Sequence, residues 1–365
     1  MLHTVLAGVL AGTLALGTPD TGDDKKTASD PDKAVAEDTR TPGVFDLAAE
    51  EAEVPNHTYA QGRSSAAVPI KFWAQYSIGQ TNDIYDRQGE SQRLSFGGPV
   101  PLGTVGESLS QRIQIGTQID VVSLPSVRLG AGALLGIAKT NFTAETPGAL
   151  GIGDLESPYG LQQLRVWGSA RGDVVGVHAG YSFDLGNALV AGEPIPAFGG
   201  ARLATELPNS DGRDAIFAGL DFDYPSERFR LLGGIDYFAL QAGGASVDAS
   251  GNEIEGTEVE DGGDWLNFLF GGGVRFPVFE LGATFQIQTR FDEPLTPNIG
   301  TVSGIGGHVG RIVPYARISP ASLPASLYIK GAVPDEYFDY GYTLGGSNAP
   351  NPTIGFTAGL SIGFE

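Results

Sequence analysis

A chain of 365 residues with no cysteine and a single methionine has neither a disulfide framework nor a cysteine-based metal site to draw on. Its net charge of -21 argues against a nucleic-acid partner, because phosphate binding wants a basic surface. The 54 glycines follow strand-like runs instead of a Gly-X-Y repeat, which excludes collagen, and past the N-terminus no stretch reaches the about 20 continuous apolar residues that a spanning helix needs.

The N-terminal residues 1–17 hold the apolar run Val5 to Ala15, followed by Ala15-Leu-Gly17 as a small-x-small cleavage candidate. That pattern predicts a signal peptide and export through the Sec pathway, although the usual basic n-region is reduced to His3. Thr18 to about Val54 is rich in Asp, Glu, Ala, Thr and Pro and almost without aromatics, so residues 18–60 are expected to be a disordered acidic tail or linker.

From residue 61 to 365 the chain repeats one pattern. In Val68–Ile78, Val68, Ile70, Phe72, Ala74, Tyr76 and Ile78 fall on one face of a strand, with Lys71, Trp73, Gln75 and Ser77 on the other. Leu109–Val121, Val127–Ile137, Val175–Phe183 and Phe279–Phe291 repeat it, and weaker versions run over 160–171, 195–207, 214–224, 227–240, 265–276, 308–318 and 323–333. The last, Ile354–Phe364, alternates without a break between apolar residues and Gly, Thr or Ser. Period 2 at this density predicts a meander of antiparallel strands.

The spacers sort into two lengths. Short joints at Ser123–Ser126, Gly172–Asp173, Asp211–Arg213, Pro225–Glu227, Pro277 and Ser319–Ser322 nearly take turns with long ones over 80–106, 142–160, 185–194, 241–263, 292–304 and 334–352. Such alternation, with polar and apolar faces along every strand, predicts an all-β fold: an antiparallel up-and-down transmembrane β-barrel. Thirteen strand candidates and a preference for even numbers give about 12 strands, or 14 if Gln92–Phe96 also pairs, with Ile354–Phe364 closing on the strand near Val68.

In a barrel the charged face must point inward, because a charge facing lipid costs about 2–4 kcal/mol near the midplane. The parity then lines the lumen with Lys71, Arg112, Arg128, Arg165, Arg171, Arg202, Arg228, Arg230, Arg275, Arg290 and Lys330. Asp120, Asp184, Glu206, Asp236 and Glu280 share that face, as do Gln114, Gln118, Gln286, Gln288 and His178. Small residues there, notably Gly130, Gly132, Gly136, Gly355, Gly359 and Gly363, leave room and favour a conduit. Aromatics gather toward strand ends, among them Tyr76, Trp167, Tyr181, Phe183, Phe217, Phe222, Tyr224, Phe229, Tyr237, Trp265, Phe268, Phe276, Phe279 and Phe291, as interfacial girdles would.

Catalytic chemistry finds no support. His3, His57, His178 and His308 form neither a His-Glu-x-x-His arrangement nor a paired metal spacing, so no catalytic residue, metal or cofactor is expected. Gly304–Gly310 lacks the Lys-Ser/Thr ending of a phosphate loop and precedes a strand.

The terminal strand ending in Phe364 resembles the C-terminal aromatic signature of Gram-negative outer-membrane proteins, with the departure that Glu365 follows the aromatic. Gly151-Ile-Gly-Asp-Leu155, a strand pair, Leu203 to Gly212 and a second strand pair are together similar to the phenol-degradation-associated outer-membrane family and, more distantly, to the long-chain fatty-acid transporters. The resemblance covers roughly 150–240. It implies passive uptake of hydrophobic or aromatic small molecules across the outer membrane, although no apolar N-terminal hatch segment of the fatty-acid transporter kind is present. The expected partners are outer-membrane lipid and lipopolysaccharide, the barrel-assembly machinery and an unspecified small solute. A structural or surface-interaction barrel without transport is the alternative.

Overall fold

The computed structural model describes residues 45–46, 58–59, 70–85, 91–93, 95–96, 104–124, 126–146, 148, 153–186, 191–195, 201–204, 213–226, 228–243, 250, 252–253, 264–291, 308–319, 325–334 and 353–364. All of them belong to one compact unit, Arg40–Glu365. The expected signal peptide lies outside the described residues; within the expected tail, Phe45–Asp46 pairs antiparallel with Thr58–Tyr59.

The unit is a closed antiparallel barrel of 12 strands. In chain order they are β1 Ile70–Thr81, β2 Thr104–Ser123, β3 Arg128–Thr146, β4 Gly160–Arg171, β5 Val175–Asp184 and β6 Ala215–Pro225. β7 Phe229–Leu240, β8 Trp265–Arg275, β9 Phe279–Arg290, β10 His308–Ile318, β11 Ala325–Pro334 and β12 Thr353–Phe364 complete the ring. Each strand pairs with its successor, and β12 closes on β1 from Thr353↔Thr81 to Phe364↔Ile70, the closure the sequence predicts. β10 carries Pro314, which has no N–H to give; the β10–β11 register accordingly skips from Ile312↔Val333 to Tyr315↔Lys330.

One strand candidate is corrected. The stretch 195–207 does not enter the ring: Ala191–Ile195 and Ala201–Ala204 form a separate hairpin, with Pro194 opposite Arg202. Pro194 and Pro196, two residues apart, lack the N–H donors that a strand would offer along one edge. Nor does Gln92–Phe96 add a strand, since Ser91–Arg93 pairs with Asp83–Tyr85 and Ser95–Phe96 caps the upper end of β2. Residues 211–213 therefore belong to one long connection, 185–214, and the alternation of spacers becomes complete.

The short joints sit at one end, with the start of β1 and the end of β12. Four of them close on two residues: Leu124 N–H donates to Val127 O at 2.8 Å, Gly172 to Val175 at 2.8 Å, Ser226 to Phe229 at 2.8 Å and Phe276 to Phe279 at 2.8 Å. In outer-membrane barrels the short-turn end faces the periplasm. β2 and β3, at 20 and 19 residues, run well past the about 9–11 residues that cross a bilayer, so their far ends project at the long-loop end.

Burial alternates as the sequence does. Phe72, Ile115, Val166, Leu220, Leu231, Phe270, Leu281, Ile312, Ile329 and Leu360 stand exposed on the outside, a continuous apolar belt. Aromatic pairs edge it at the short-turn end, Tyr224 with Phe229 and Phe276 with Phe279, and at the long-loop end, Tyr181 with Phe183 and Tyr237 with Phe291. At the long-loop end two aspartates clasp neighbouring strands in the same way. Asp214 accepts from Tyr181 Oη and Asp184 N–H, both at 2.8 Å, and Asp264 accepts from Tyr237 Oη and, at 3.0 Å, from Leu240 N–H. Ile235, outward and midway along β7, is a direct test of the belt: Ile235→Arg is expected to destabilise the barrel by about 2–4 kcal/mol in lipid unfolding titrations.

Candidate functional site

The inward positions are filled. Gln114, Gln118, Gln286, Arg311 and Tyr328 are among the largest fully buried side chains, and three groups of contacts organise the rest.

The first group is ionic and lies toward the short-turn end. Asp120 pairs with Arg171 and, at 3.9 Å, with Arg128. Asp223 holds Arg230 through two parallel contacts, Nε to Oδ1 at 2.8 Å and Nη2 to Oδ2, the bidentate geometry that a planar guanidinium favours. Glu280 links onward, 3.9 Å from Arg230 and 3.6 Å from Arg275, and accepts from Tyr315 Oη at 2.8 Å. The second group centres on His178, whose Nε2 lies 2.7 Å from Asp236 and Nδ1 3.4 Å from Asp221. A ring facing carboxylate oxygens on both nitrogens can donate to both as the imidazolium.

The third group is apolar. Trp73, Leu134, Trp167, Ala215, Phe217, Phe238, Leu240 and Trp265 form one buried cluster on the inner face. Trp73 and Trp167 approach to 6.2 Å, Phe217 stacks on Phe238 at 5.2 Å, and the Arg165 guanidinium sits 5.3 Å from the Phe238 ring. These separations are those of favourable aromatic and cation–π pairs.

Four of the glycines read as open space, Gly130, Gly132, Gly136 and Gly359, are corrected by the same packing. Gly132 and Gly359 do not leave open space but seat rings, as Gly116 does. A Cβ on Gly116 would lie 2.1 Å from Trp73, one on Gly132 2.3 Å from Trp167, and one on Gly359 2.3 Å from Tyr328. Gly130 and Gly136 are likewise covered, by Ile119 O with Asp120 and by Gln163. Trp167, Phe217 and Trp265, read from the sequence as girdle residues, are also corrected: they belong to the interior cluster.

Of the residues expected in the lumen, Lys71, Arg112, Gln114, Gln118, Asp120, Arg165, His178, Arg230, Glu280, Gln286, Gln288 and Lys330 are buried in the strands' inward series. Arg128, Asp236 and Arg275 are half-buried there, and Asp184 is half-buried at the upper end of β5, accepting from Gly186 N–H at 2.7 Å. Arg290 ends β9 opposite Trp265. Arg202 is corrected to the separate hairpin, where its proline neighbours put it, and Arg228 to an exposed short turn. Glu206 lies outside the described residues. Sequence reasoning left out Asp221, Asp223, Arg311 and Arg317, although each has the parity of the polar face within its strand.

Among the described residues, the buried charges are strongly unequal. Nine are basic (Lys71, Arg112, Arg165, Arg171, Arg213, Arg230, Arg311, Arg317 and Lys330), and four are acidic, Asp120, Asp221, Asp223 and Glu280. The whole chain has the opposite balance, 22 Lys and Arg against 43 Asp and Glu.

An apolar outer belt, aromatic rims, a polar inward series and short turns opposite long loops define a transmembrane β-barrel of the outer-membrane class. No protein-family model matches the sequence, and no curated protein matches it. Solved structures do match in fold. An outer-membrane channel from Pseudomonas putida F1 is similar at a TM-score of 0.58 and 10% identity, over 82% of this chain and 97% of that one. The β-domain of the Bordetella autotransporter BrkA matches at 0.45 and 14% identity, over 81% and 99%. A Pseudomonas aeruginosa FadL homologue matches at 0.36 and 12% identity, over 81% and 90%.

Proposed function

We propose that the chain is an outer-membrane channel for passive uptake of small molecules, with hydrophobic or aromatic solutes as its cargo. The observation that carries this reading is the apolar cluster inside a barrel whose buried inward residues are mostly polar, with Trp73, Trp167 and Trp265 at its heart. A water-filled pore for polar solutes has no use for it, whereas a ring-bearing solute moving among these side chains exchanges one aromatic contact for another. The fold of the Pseudomonas putida channel supports the role. It requires no chemistry of His178, so the protein is read as a transporter and not an enzyme. On this reading it reaches the outer membrane through Sec export and the barrel-assembly machinery, and its long loops meet lipopolysaccharide.

The burial of Gln114 and Arg311, at 0% and 1% exposed, favours a second reading, a structural barrel without transport. Uptake separates the two. Gram-negative cells with an intact lipopolysaccharide leaflet that produce the protein are expected to accumulate labelled toluene severalfold faster than cells producing a small closed barrel. Equal rates would remove the channel reading and leave the structural one.

A further inference from the structure

The charge imbalance of the interior has a location. Strands β10, β11, β12 and β1 are consecutive around the ring, and their sequences contain no Asp or Glu at all. Their inward faces nevertheless carry Arg311, Arg317, Lys330 and Lys71, each 7% exposed or less. The acids of the interior lie on other strands, β2, β6, β7 and β9, where Asp120, Asp221, Asp223, Asp236 and Glu280 are each matched to a cation or to His178. The wall of β10, β11, β12 and β1 thus supplies cations and no carboxylate of its own, and the acids nearest it stand on the flanking strands, Glu280 on β9 in register with Arg317 and Asp120 on β2.

The basic wall is also organised as a row. Register carries Lys330 to Thr357, Thr357 to Ser77 and Ser77 to Arg112, so two cations flank two hydroxyls across four strands. Thr357 Oγ1 lies 3.1 Å from Ser77 Oγ, and Tyr328 Oη donates to Gln75 at 2.6 Å just beneath. Trp73, the anchor of the aromatic cluster, projects from the same wall. Cations and hydroxyls beside rings, with no carboxylate on β11, β12 or β1, match an organic anion with an aromatic body.

We infer that the preferred cargo is a ring-bearing organic anion, a carboxylate or sulfonate whose charge follows the β10–β1 wall while its ring contacts the aromatic cluster. This deepens the proposed channel function and rests on it. The test uses the refolded full chain in proteoliposomes with charge movement dissipated by an ionophore. Influx of labelled benzenesulfonate, ionised at any working pH, is compared with that of labelled phenyltrimethylammonium, a cation of similar size.

Benzenesulfonate is expected to enter about tenfold faster, the low end of what charge focusing gives and in keeping with a basic excess that is not one-signed. Lys330→Gln with Arg311→Gln should reduce that ratio severalfold, and Lys330→Arg should keep it, with heat-modifiable gel mobility confirming the fold of each. The wild-type ratio stands without the variants, should they fail to fold. Equal entry of the two ions, or faster entry of the cation, overturns the anion inference and leaves the channel reading in place. Entry of neither ion alongside rapid toluene uptake in cells also overturns the inference alone. Entry of neither ion together with absent toluene uptake removes both.

Discussion

Asp120→Ala is expected to lower barrel stability by about 3–5 kcal/mol, seen as a shift in the urea midpoint of the protein folded in lipid vesicles. Asp120 is 2% exposed and holds Arg171, itself 4% exposed, with Arg128 at 3.9 Å on its other side. Removing the carboxylate leaves two guanidinium groups in a confined interior without the charge that joins them. The loss follows from that stranded charge, not from the pair's net worth, so Asp120→Ala combined with Arg171→Met should recover much of it. Glu156→Ala provides the contrast. Its partner Lys139 is 3.0 Å away, but the Glu156 side chain is 72% exposed, and the expected loss is under about 1 kcal/mol. Equal losses at the two sites would refute the ionic hub.

Trp73→Ala is expected to cost a similar amount, about 3–5 kcal/mol, and to raise ion conductance as well. The ring is buried, lies over Gly116 and touches the aromatic cluster next to Trp167. Its removal takes an anchor from the apolar group and opens space within the barrel, so single-channel steps in planar bilayers should grow. Gly116→Ala attacks the same contact from the other side. Its new Cβ would fall 2.1 Å from the ring, an overpacking that costs about 1–3 kcal/mol. The two changes should be strongly non-additive, since once the ring is gone the methyl group has room. Additive losses with unchanged conductance would mean that Trp73 does not fill the passage.

The strands and their closure were legible because lipid and interior impose opposite demands on alternate residues, and Ile354–Phe364 states that alternation in its plainest form. The count was legible from the preference for even numbers: 195–207 alternates well enough, but Ala191–Ile195, with Pro194, pairs with Ala201–Ala204 outside the ring. The interior was harder to read. Trp73 has the parity of the polar face, and so do Phe217 and Trp265, yet an apolar residue among polar ones looks like noise until a neighbouring strand supplies its glycine. Gly132 and Gly359 suggested emptiness because the rings that occupy them come from other strands. The ionic hubs depend on register in the same way: Arg171 and Asp120 are 51 residues apart, and only the β2–β3–β4 pairing sets them side by side.

All three tryptophans of the chain, Trp73, Trp167 and Trp265, belong to the interior cluster, so tryptophan fluorescence, excited where tyrosine does not absorb, reports on that cluster. The most direct measurement is therefore a quenching titration of the folded protein with two agents, acrylamide, which travels in water, and nitrobenzene, an apolar ring. A filled interior that admits aromatic solutes predicts saturable quenching by nitrobenzene and little by acrylamide. Acrylamide quenching as efficient as in the urea-unfolded chain would instead reveal an open aqueous pore, and a strictly linear nitrobenzene response would show that no aromatic site exists inside.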